Sequence, residues 1–305
     1  MINKTNSSIA SIIVTFNPDI DILIKSVNSI SSQTETLFII DNASKNINDI
    51  EKTISEIENI IFIKYENNIG LAEAQNIAIN KIIDSKKYSH VILFDQDSII
   101  NSDFISNLIN DELSLISQGH NVAAIGPSFI DPQTNKCYPA TVYKGPFIKK
   151  VYLKNTPVEA TYIIASGSLI SIDILSKVGM MKSELFIDYI DVEWSLRAKS
   201  KGFKVFVSPN AIMLHTIGDK RVNILGRTVS IHSPFRRYFL IRNSFFMLRL
   251  PYIPFGYKLR EMTFNLLRIM IGLIKSDQKT KYIKYTFWGI HDGILKKFGP
   301  CKHKF

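Results

Sequence analysis

Apolar positions along the first half of the chain follow two alternating rhythms. Short runs stop abruptly at polar residues: Ala10 to Phe16 before Asn17-Pro18, Leu37 to Ile40 before Asp41-Asn42, Ile60 to Ile63, and His90 to Phe94 before Asp95. Between them, Ile20 to Ile30, Ile47 to Ile57, Ala72 to Ile83 and Asp103 to Ser117 carry apolar residues at three- and four-residue spacing. Short β-branched runs read as buried strands, and the longer spacing reads as helices with one apolar stripe.

Strands alternating with helices of this length predict an α/β chain with a doubly wound, mainly parallel, Rossmann-like sheet. Each polar motif falls just after a strand, so the motifs should gather along one sheet edge, where such folds bind ligands. From Pro127 to Pro157 the pattern dissolves into Pro, Gly, Asn and Tyr, with no strand placed. Strand character resumes over Val158 to Ile172 around Ala165-Ser166-Gly167-Ser168, a helix is expected over Asp191 to Lys201, and Phe203 to Val207 returns as a strand. Beyond about residue 230 the chain turns helical and basic, which divides it into residues 1–225, an α/β domain, and 226–305, a basic amphipathic helical extension.

Charge sharpens that division. Residues 1–195 hold 15 Lys and Arg against 23 Asp and Glu, while residues 196–305 hold 22 against 4, so a net charge of +10 conceals halves of −8 and +18. Basic, aromatic stretches such as Pro234 to Asn243 and Phe264 to Ile274 suit an anionic membrane surface or a solvated helical subdomain. No nucleic-acid motif accompanies the charge. Cys137 and Cys301 are too few for a disulfide framework, which fits a reducing cytosol. Met1 to Ser8 is polar and does not read as a signal peptide, and Ile269 to Ile274 is far shorter than the roughly 20 residues that span a bilayer.

The most informative chemistry is Asp95-Gln96-Asp97 at a strand end. Two carboxylates there can hold a hard divalent cation whose open positions take phosphate oxygens. Alone the triplet is equally a solvated turn, but it belongs to an ordered series: Val14 to Pro18, Ile40 to Ser44, Asn67 to Leu71, Asp95 to Asp97, then Phe186 to Arg197 and His215 to Gly218.

This series resembles the family 2 glycosyltransferases of the GT-A fold, and within them the bacterial rhamnosyltransferases that use dTDP-L-rhamnose, over roughly residues 9–245. The resemblance implies that Thr15, Phe16 and Asn17 line the nucleotide pocket, with Asp41 accepting from the imide N–H of uracil or thymine. Asn68, Gly70 and Asn76 are expected against ribose and base, and Asp95 against the donor's ribose or sugar. Asp97 and His215 are expected to hold Mg²⁺ or Mn²⁺. Ser166, Gly167 and Ser168 are expected beneath a bound sugar.

The resemblance also locates a base. Relatives carry Glu-Asp here; aligning on Glu193, Trp194 and Arg197 puts Asp191 on the Asp and Ile190 on the Glu, which leaves Asp188 as the runner-up. Glu193 and Trp194 are expected to shape the acceptor pocket, while Arg197 could pair with an acid. Arg236, Arg237 and Arg242, beside Tyr238 and Asn243, either grip a diphosphate or form a solvated helix face. The implied enzyme is an inverting, metal-dependent transferase moving L-rhamnose from dTDP-β-L-rhamnose to a polyprenyl-diphosphate-linked saccharide, such as an O-antigen intermediate, at the cytoplasmic face of a membrane. A transferase using another UDP- or dTDP-sugar is the near alternative. A nucleotidyltransferase would need a Gly-rich basic loop where Thr15 to Pro18 stands, and a non-catalytic sugar-nucleotide-binding protein would not need Asp191.

Overall fold

A computed structural model describes residues 8–131, 136–214, 220–224, 227–231, 233–276 and 278–303. The predicted alternation is present: β1 (Ile9–Thr15), α1 (Ile20–Ser31), β2 (Thr36–Asn42), α2 (Ile47–Ile54), β3 (Ile60–Tyr65), α3 (Leu71–Ser85), β4 (His90–Asp95) and α4 (Phe104–Ser117) follow in order. Next come β5 (Val122–Ile130), the hairpin of β6 (Ala140–Lys144) and β7 (Phe147–Val151), β8 (Val158–Ala160), β9 (Ser168–Ser171), α5 (Ile172–Val178), α6 (Ile190–Ser200) and β10 (Lys204–Leu214). The chain continues through β11 (Lys220–Ile224), β12 (Arg227–Ile231), α7 (Pro234–Arg249), α8 (Phe255–Lys275) and α9 (Lys279–Ile294).

Eight strands form one sheet in the order β3-β2-β1-β4-β9-β5-β10-β8. The pairs β1–β2, β2–β3, β1–β4 and β5–β10 are parallel, whereas β9 runs antiparallel to β4 and β5, and β8 antiparallel to β10. Strand alternation sends Ala10 and Ile12 into a core under α3, α5 and α6, and Ile9 and Ile13 into a second core under α1, α2 and α4. Both faces are thus covered, which is why β1, β2 and β4 read as nearly unbroken apolar runs.

The stretch without a sequence pattern holds the end of β5 and the β6–β7 hairpin, turned through Gly145 at φ +59. Its polar, partly exposed residues carry no clean alternation, so period alone could not find it. In the C-terminal region, α7 inserts Tyr238 and Phe239 against Phe186, making a third small core beside the central sheet.

Candidate active site

The sheet's strand order changes direction between β1 and β4, because β1 has β2 on one side and β4 on the other. At such a switch point the two following loops part and open a crevice. In register, Val14 lies beside Asp95 and Thr15 beside Asp41, so the ends of β1, β2 and β4 are level. Antiparallel β9 begins at that same edge, where Gly167 N–H donates to Leu93 O, and Ser166 Oγ accepts from Asp95 N–H at 3.2 Å. The motifs from Thr15, Asp41, Asp95 and Gly167 therefore converge.

Side-chain hydrogen bonds fix the turns between them. Thr15 Oγ1 donates to Asp41 Oδ2 at 2.9 Å, and Ser44 N–H donates to Asp41 Oδ1 at 2.9 Å, so a buried carboxylate is held without a cation. Asn17, at φ +47, donates its N–H to Ser44 Oγ and accepts Lys45 N–H on Oδ1, both at 2.8 Å. Phe16 is 48% exposed, a ring presented to a ligand's side of the edge, and its N–H is taken by Gln96 Oε1 at 2.8 Å. Gln96 and Ser44 were not singled out from sequence, although the Asp41-to-Ser44 spacing is that of a side-chain-capped turn.

Asp97 is exposed at the rim and Asp95 is half-buried behind it. Two carboxylates at a strand end, with the remaining positions open, fit an ion such as Mg²⁺ that keeps waters and phosphate oxygens in its shell. Among the described residues no group of three His, Cys, Asp or Glu converges, and His215, the expected further ligand, lies outside the described residues.

Asn68 Oδ1 accepts Gly70 N–H at 2.9 Å, and Asn42 Oδ1 accepts Ile69 N–H at 2.8 Å, which shapes the turn into α3. Gly70 has φ +90, and a Cβ there would lie 2.5 Å from Phe186 Cδ2, so only glycine lets the two segments meet. Asn76 corrects its expectation. It is buried, donates to Met181 O at 2.9 Å and Ser183 Oγ at 3.0 Å, and accepts Met181 N–H at 3.0 Å. With both amide atoms committed, it ties α3 to the loop before α6 instead of facing a ribose.

That loop carries the two candidate bases. Phe186, Asp188 and Tyr189 all have φ +65, an unfavourable conformation for side chains with a Cβ. The expected diphosphate grip is corrected at two of its three arginines, which explain how the loop is held. Arg242 is fully buried and donates to Leu185 O at 3.1 Å, Glu184 O at 3.2 Å and Gly299 O. Beside it, Asn243 Nδ2 reaches Leu185 O, Ile187 O and Asp188 O at 2.8, 2.7 and 3.2 Å. Arg237 is also buried, turned to Asn265 O at 3.2 Å. Only Arg236 reaches the site, forking its Nε and Nη2 onto Asp188 Oδ1 at 3.1 and 3.0 Å.

Asp188 is therefore committed to an arginine, and Asp191 is not. Asp191, in the first turn of α6, accepts Val192 N–H at 2.8 Å and lines a cavity of about 20 Å³ with Trp194, Ser168 and Gln75, room for about one water. Burial pushes its carboxyl up to about 6, the charges of Asp188 and Asp95 add to the rise, and the N–H groups of Val192 and Ala165 oppose it. A carboxylate tuned this close to neutrality is suited to take a proton.

Glu193 also corrects its expectation. It is fully buried, held by Arg197 Nε at 2.9 Å and Nη2 at 3.0 Å and by Tyr252 Oη–H, so it cannot line an acceptor pocket. Arg197 also donates to Val178 O and Met180 O, making this pair a brace for α6. Trp194 is buried too, its Nε1–H on Gly179 O at 2.8 Å, so it supports Asp191 from beneath.

Comparison with known proteins agrees with the architecture. The family described as "Glycosyl transferase family 2" matches residues 11–179. A dTDP-rhamnosyl transferase, RfbF of Shigella flexneri, is 35% identical over 292 residues, 95% of this chain and 96% of its own. The chain belongs to the family 2 glycosyltransferases. Solved structures share its fold at low identity. GalNAc-T7 with UDP, GalNAc and Mn²⁺ has a TM-score of 0.58 at 15% identity, covering 97% of this chain, which spans only 58% of that one. The mannosyltransferase PcManGT of Pyrobaculum calidifontis, with GDP-Man and Mn²⁺, gives 0.58 at 11% identity, covering 96% and 89% of the two chains. S. aureus TarS 1–349 with UDP-GlcNAc gives 0.54 at 17%, covering 91% and 79%.

Proposed function

We propose that this glycosyltransferase moves L-rhamnose from dTDP-β-L-rhamnose, with inversion, to a hydroxyl of a saccharide carried on a polyprenyl diphosphate. The observation that carries the donor assignment is the 35% identity to a dTDP-rhamnosyl transferase along nearly the whole of both chains. Asp41 supports it: a buried carboxylate at the switch point accepts from the imide N–H of thymine or uracil and rejects cytosine, whose corresponding nitrogen has no proton.

Thr15, Phe16, Asn17 and Asn68 border the nucleotide, with Gly70 shaping the turn beside it. Asp97 and His215 would hold Mg²⁺ or Mn²⁺, with Asp95 beside the ribose or sugar, and the ion would supply charge neutralisation for the departing dTDP. Asp191 takes the proton from the acceptor hydroxyl as that oxygen attacks the anomeric carbon opposite the diphosphate. Arg236 is the cation paired with Asp188 on the base loop, whereas the expectation for Gly167 is corrected: at φ +77, with Pro127 and Met213 standing where a side chain would be, it turns the chain into β9 and does not open space for a sugar. The acceptor's lipid carrier puts the enzyme on the inner face of a membrane, a reading that the +18 charge of residues 196–305 supports.

Thermal-shift measurements against dTDP, UDP, GDP and ADP, with and without Mn²⁺, test the donor. At about 100 times Kd a true ligand stabilises by about 2.7 kcal/mol. The shift is expected for dTDP and to grow with Mn²⁺. Equal shifts from GDP or ADP would overturn the base assignment, and a dTDP shift indifferent to Mn²⁺ would overturn the metal.

A further inference from the structure

The helix α8 is built inside out. Phe255, Leu259, Met262, Leu266, Met270 and Ile274 recur every three or four residues along its outer face, and all are exposed, Leu266 by 61% and Ile274 by 70%. Several of its polar residues turn toward the protein. Arg268 pairs with Glu261 at 2.9 Å, Arg260 donates to Pro146 O at 3.3 Å, and buried Asn265 offers its carbonyl to Arg237. A surface helix ordinarily does the opposite. The next helix, α9, repeats the arrangement with Ile283, Phe287, Ile290 and Ile294 exposed on one face. The two helices meet where Tyr282 Oη–H donates to Arg268 O, and the short connection between them leaves Ile274 and Ile283 near its two ends.

The charge around these stripes has one sign. Lys275, Lys279, Lys281, Lys284, Lys296 and Lys297 are exposed. The acidic residues described between Ser233 and His303 are Glu261 and Asp292, and both are engaged, Asp292 by Tyr238, His291 and His303. No helix among the described residues is long and apolar enough to cross a membrane. A stripe too polar on its reverse side to span, with lysines at its flanks, matches a helix lying in the plane of an anionic lipid surface.

We infer that the outward faces of α8 and α9 insert into the interfacial layer of an anionic bilayer, so that the enzyme is held by apolar contact as well as by charge. This rests on the reading of the enzyme as a peripheral membrane protein and specifies its mode. A purely electrostatic attachment is released by salt, whereas buried apolar stripes are not. A second copy of this chain is the rival occupant, and it lacks an acidic complement among the described residues of this region.

The test is vesicle flotation of the full chain. Vesicles are phosphatidylglycerol with phosphatidylethanolamine, or phosphatidylcholine alone. Salt is about 0.1 M and about 1 M NaCl, where the screening length falls from about 10 Å to about 3 Å. The wild type should float with the anionic vesicles and keep a bound fraction at high salt. Leu266→Glu with Phe287→Glu should lower partitioning at least about tenfold at both salts, while its dTDP thermal shift is unchanged, which certifies the fold. Lys279→Gln, Lys281→Gln and Lys284→Gln together should erode the preference for anionic lipid yet leave the salt-resistant fraction. Complete release of the wild type at high salt, with the stripe variant binding equally well, would overturn the insertion and leave the peripheral reading standing. Failure of the wild type to float at all would overturn both. A wild-type dimer in sedimentation equilibrium that Leu266→Glu converts to monomer would assign the stripe to a second copy and overturn the lipid proposal.

Discussion

The nucleotide edge and the base loop lie side by side yet are stabilised in contrasting ways. At the edge, each turn after β1, β2 and β4 is tied to the neighbouring turn: Thr15 to Asp41, Asn17 to Ser44 and Lys45, Gln96 to Phe16. Those partners lie at the strand ends or in the turns directly after them, so this edge is set once the strands pair. The base loop cannot hold itself. Three residues at φ +65 are kept there by carbonyl contacts from Arg242 and Asn243 and by Phe186 stacked on Phe239 at 5.0 Å, all supplied by α7. On the proposed reading, the donor half of the site is set at the sheet edge, and the acceptor half depends on the C-terminal region. Helix α7 thus braces the loop that carries Asp188, whereas α8 turns its apolar face outward.

The largest effect expected from that contrast is at Asp191. Asp191→Asn keeps size and removes basicity, so turnover should fall by about 10²–10⁴-fold while dTDP affinity, set at the other half, barely moves. Wild-type kcat/KM should fall as pH drops through about 6, where the carboxyl protonates. The sign for stability is the reverse of the usual carboxylate. Because folding raises this pKa from 3.8 to about 6, the unfolded chain gives up its proton first, and stability is lost as pH rises through that window. Asp191→Asn should therefore melt higher than wild type above pH 6, with the difference vanishing below pH 4. A dead Asp188→Asn beside an active Asp191→Asn would transfer the base to Asp188.

Next in size is the clamp. Asn243→Ala strips one donor amide from three carbonyls and takes from buried Arg242 the Oδ1 that accepts its Nε and Nη2, leaving Arg242 its backbone carbonyls alone. Stability should drop by about 3 kcal/mol, since buried groups left unpaired cost about 1–3 kcal/mol each and relax in part. Of what activity remains, kcat should suffer more than the dTDP Kd. Equal losses in both would mean that the two halves are not separable.

How much of this was legible follows the same division. The strand–helix alternation and the level ends of β1, β2 and β4 could be read because buried strands and punctuating polar residues are local signals. Asp41 and Asp95 were placed at the edge for that reason. Asn76, Glu193, Arg237 and Arg242 were misplaced because each looks like a polar residue in a motif, yet each spends its hydrogen bonds on the protein: Glu193 on Arg197 one turn away and on Tyr252, the others mainly on partners far away in sequence. Asn76 bonds Met181, and Arg242 bonds Gly299. A motif shows that a residue is needed but not whether substrate or backbone needs it. The outward face of α8 was legible as apolar spacing, but spacing cannot tell which face points inward.

Gly70 joins the halves, and its replacement should cost somewhat less than the clamp. Gly70→Ala places a methyl 2.5 Å from Phe186 Cδ2 and 2.9 Å from Phe186 O at φ +90. A destabilisation of about 2 kcal/mol is expected from strain and overpacking together. Because the clash pushes on the base loop from the donor side, both kcat and donor Kd should worsen, unlike the Asn243 variant. Unchanged donor binding in Gly70→Ala would show that the turn serves the loop alone.

The smallest effect should come from Thr15→Val, which removes a hydroxyl while preserving shape at a fully buried position. Asp41 then keeps its bond from Ser44 N–H but loses the 2.9 Å bond at Oδ2. A hydrogen bond to a charged group contributes about 1.5–3 kcal/mol, and water or the base's own N–H can replace part of it. The expected outcome is a loss of about 1 kcal/mol in stability with dTDP weakened only several-fold, no change in kcat at saturating donor, and no change in the pH profile set by Asp191. Calorimetric titration of dTDP and CDP against both proteins measures it. If Thr15→Val loses turnover at saturating donor, the nucleotide edge is coupled to the base loop after all, and the division between an intrinsic donor side and a clamped acceptor side fails at the residue where it should hold best.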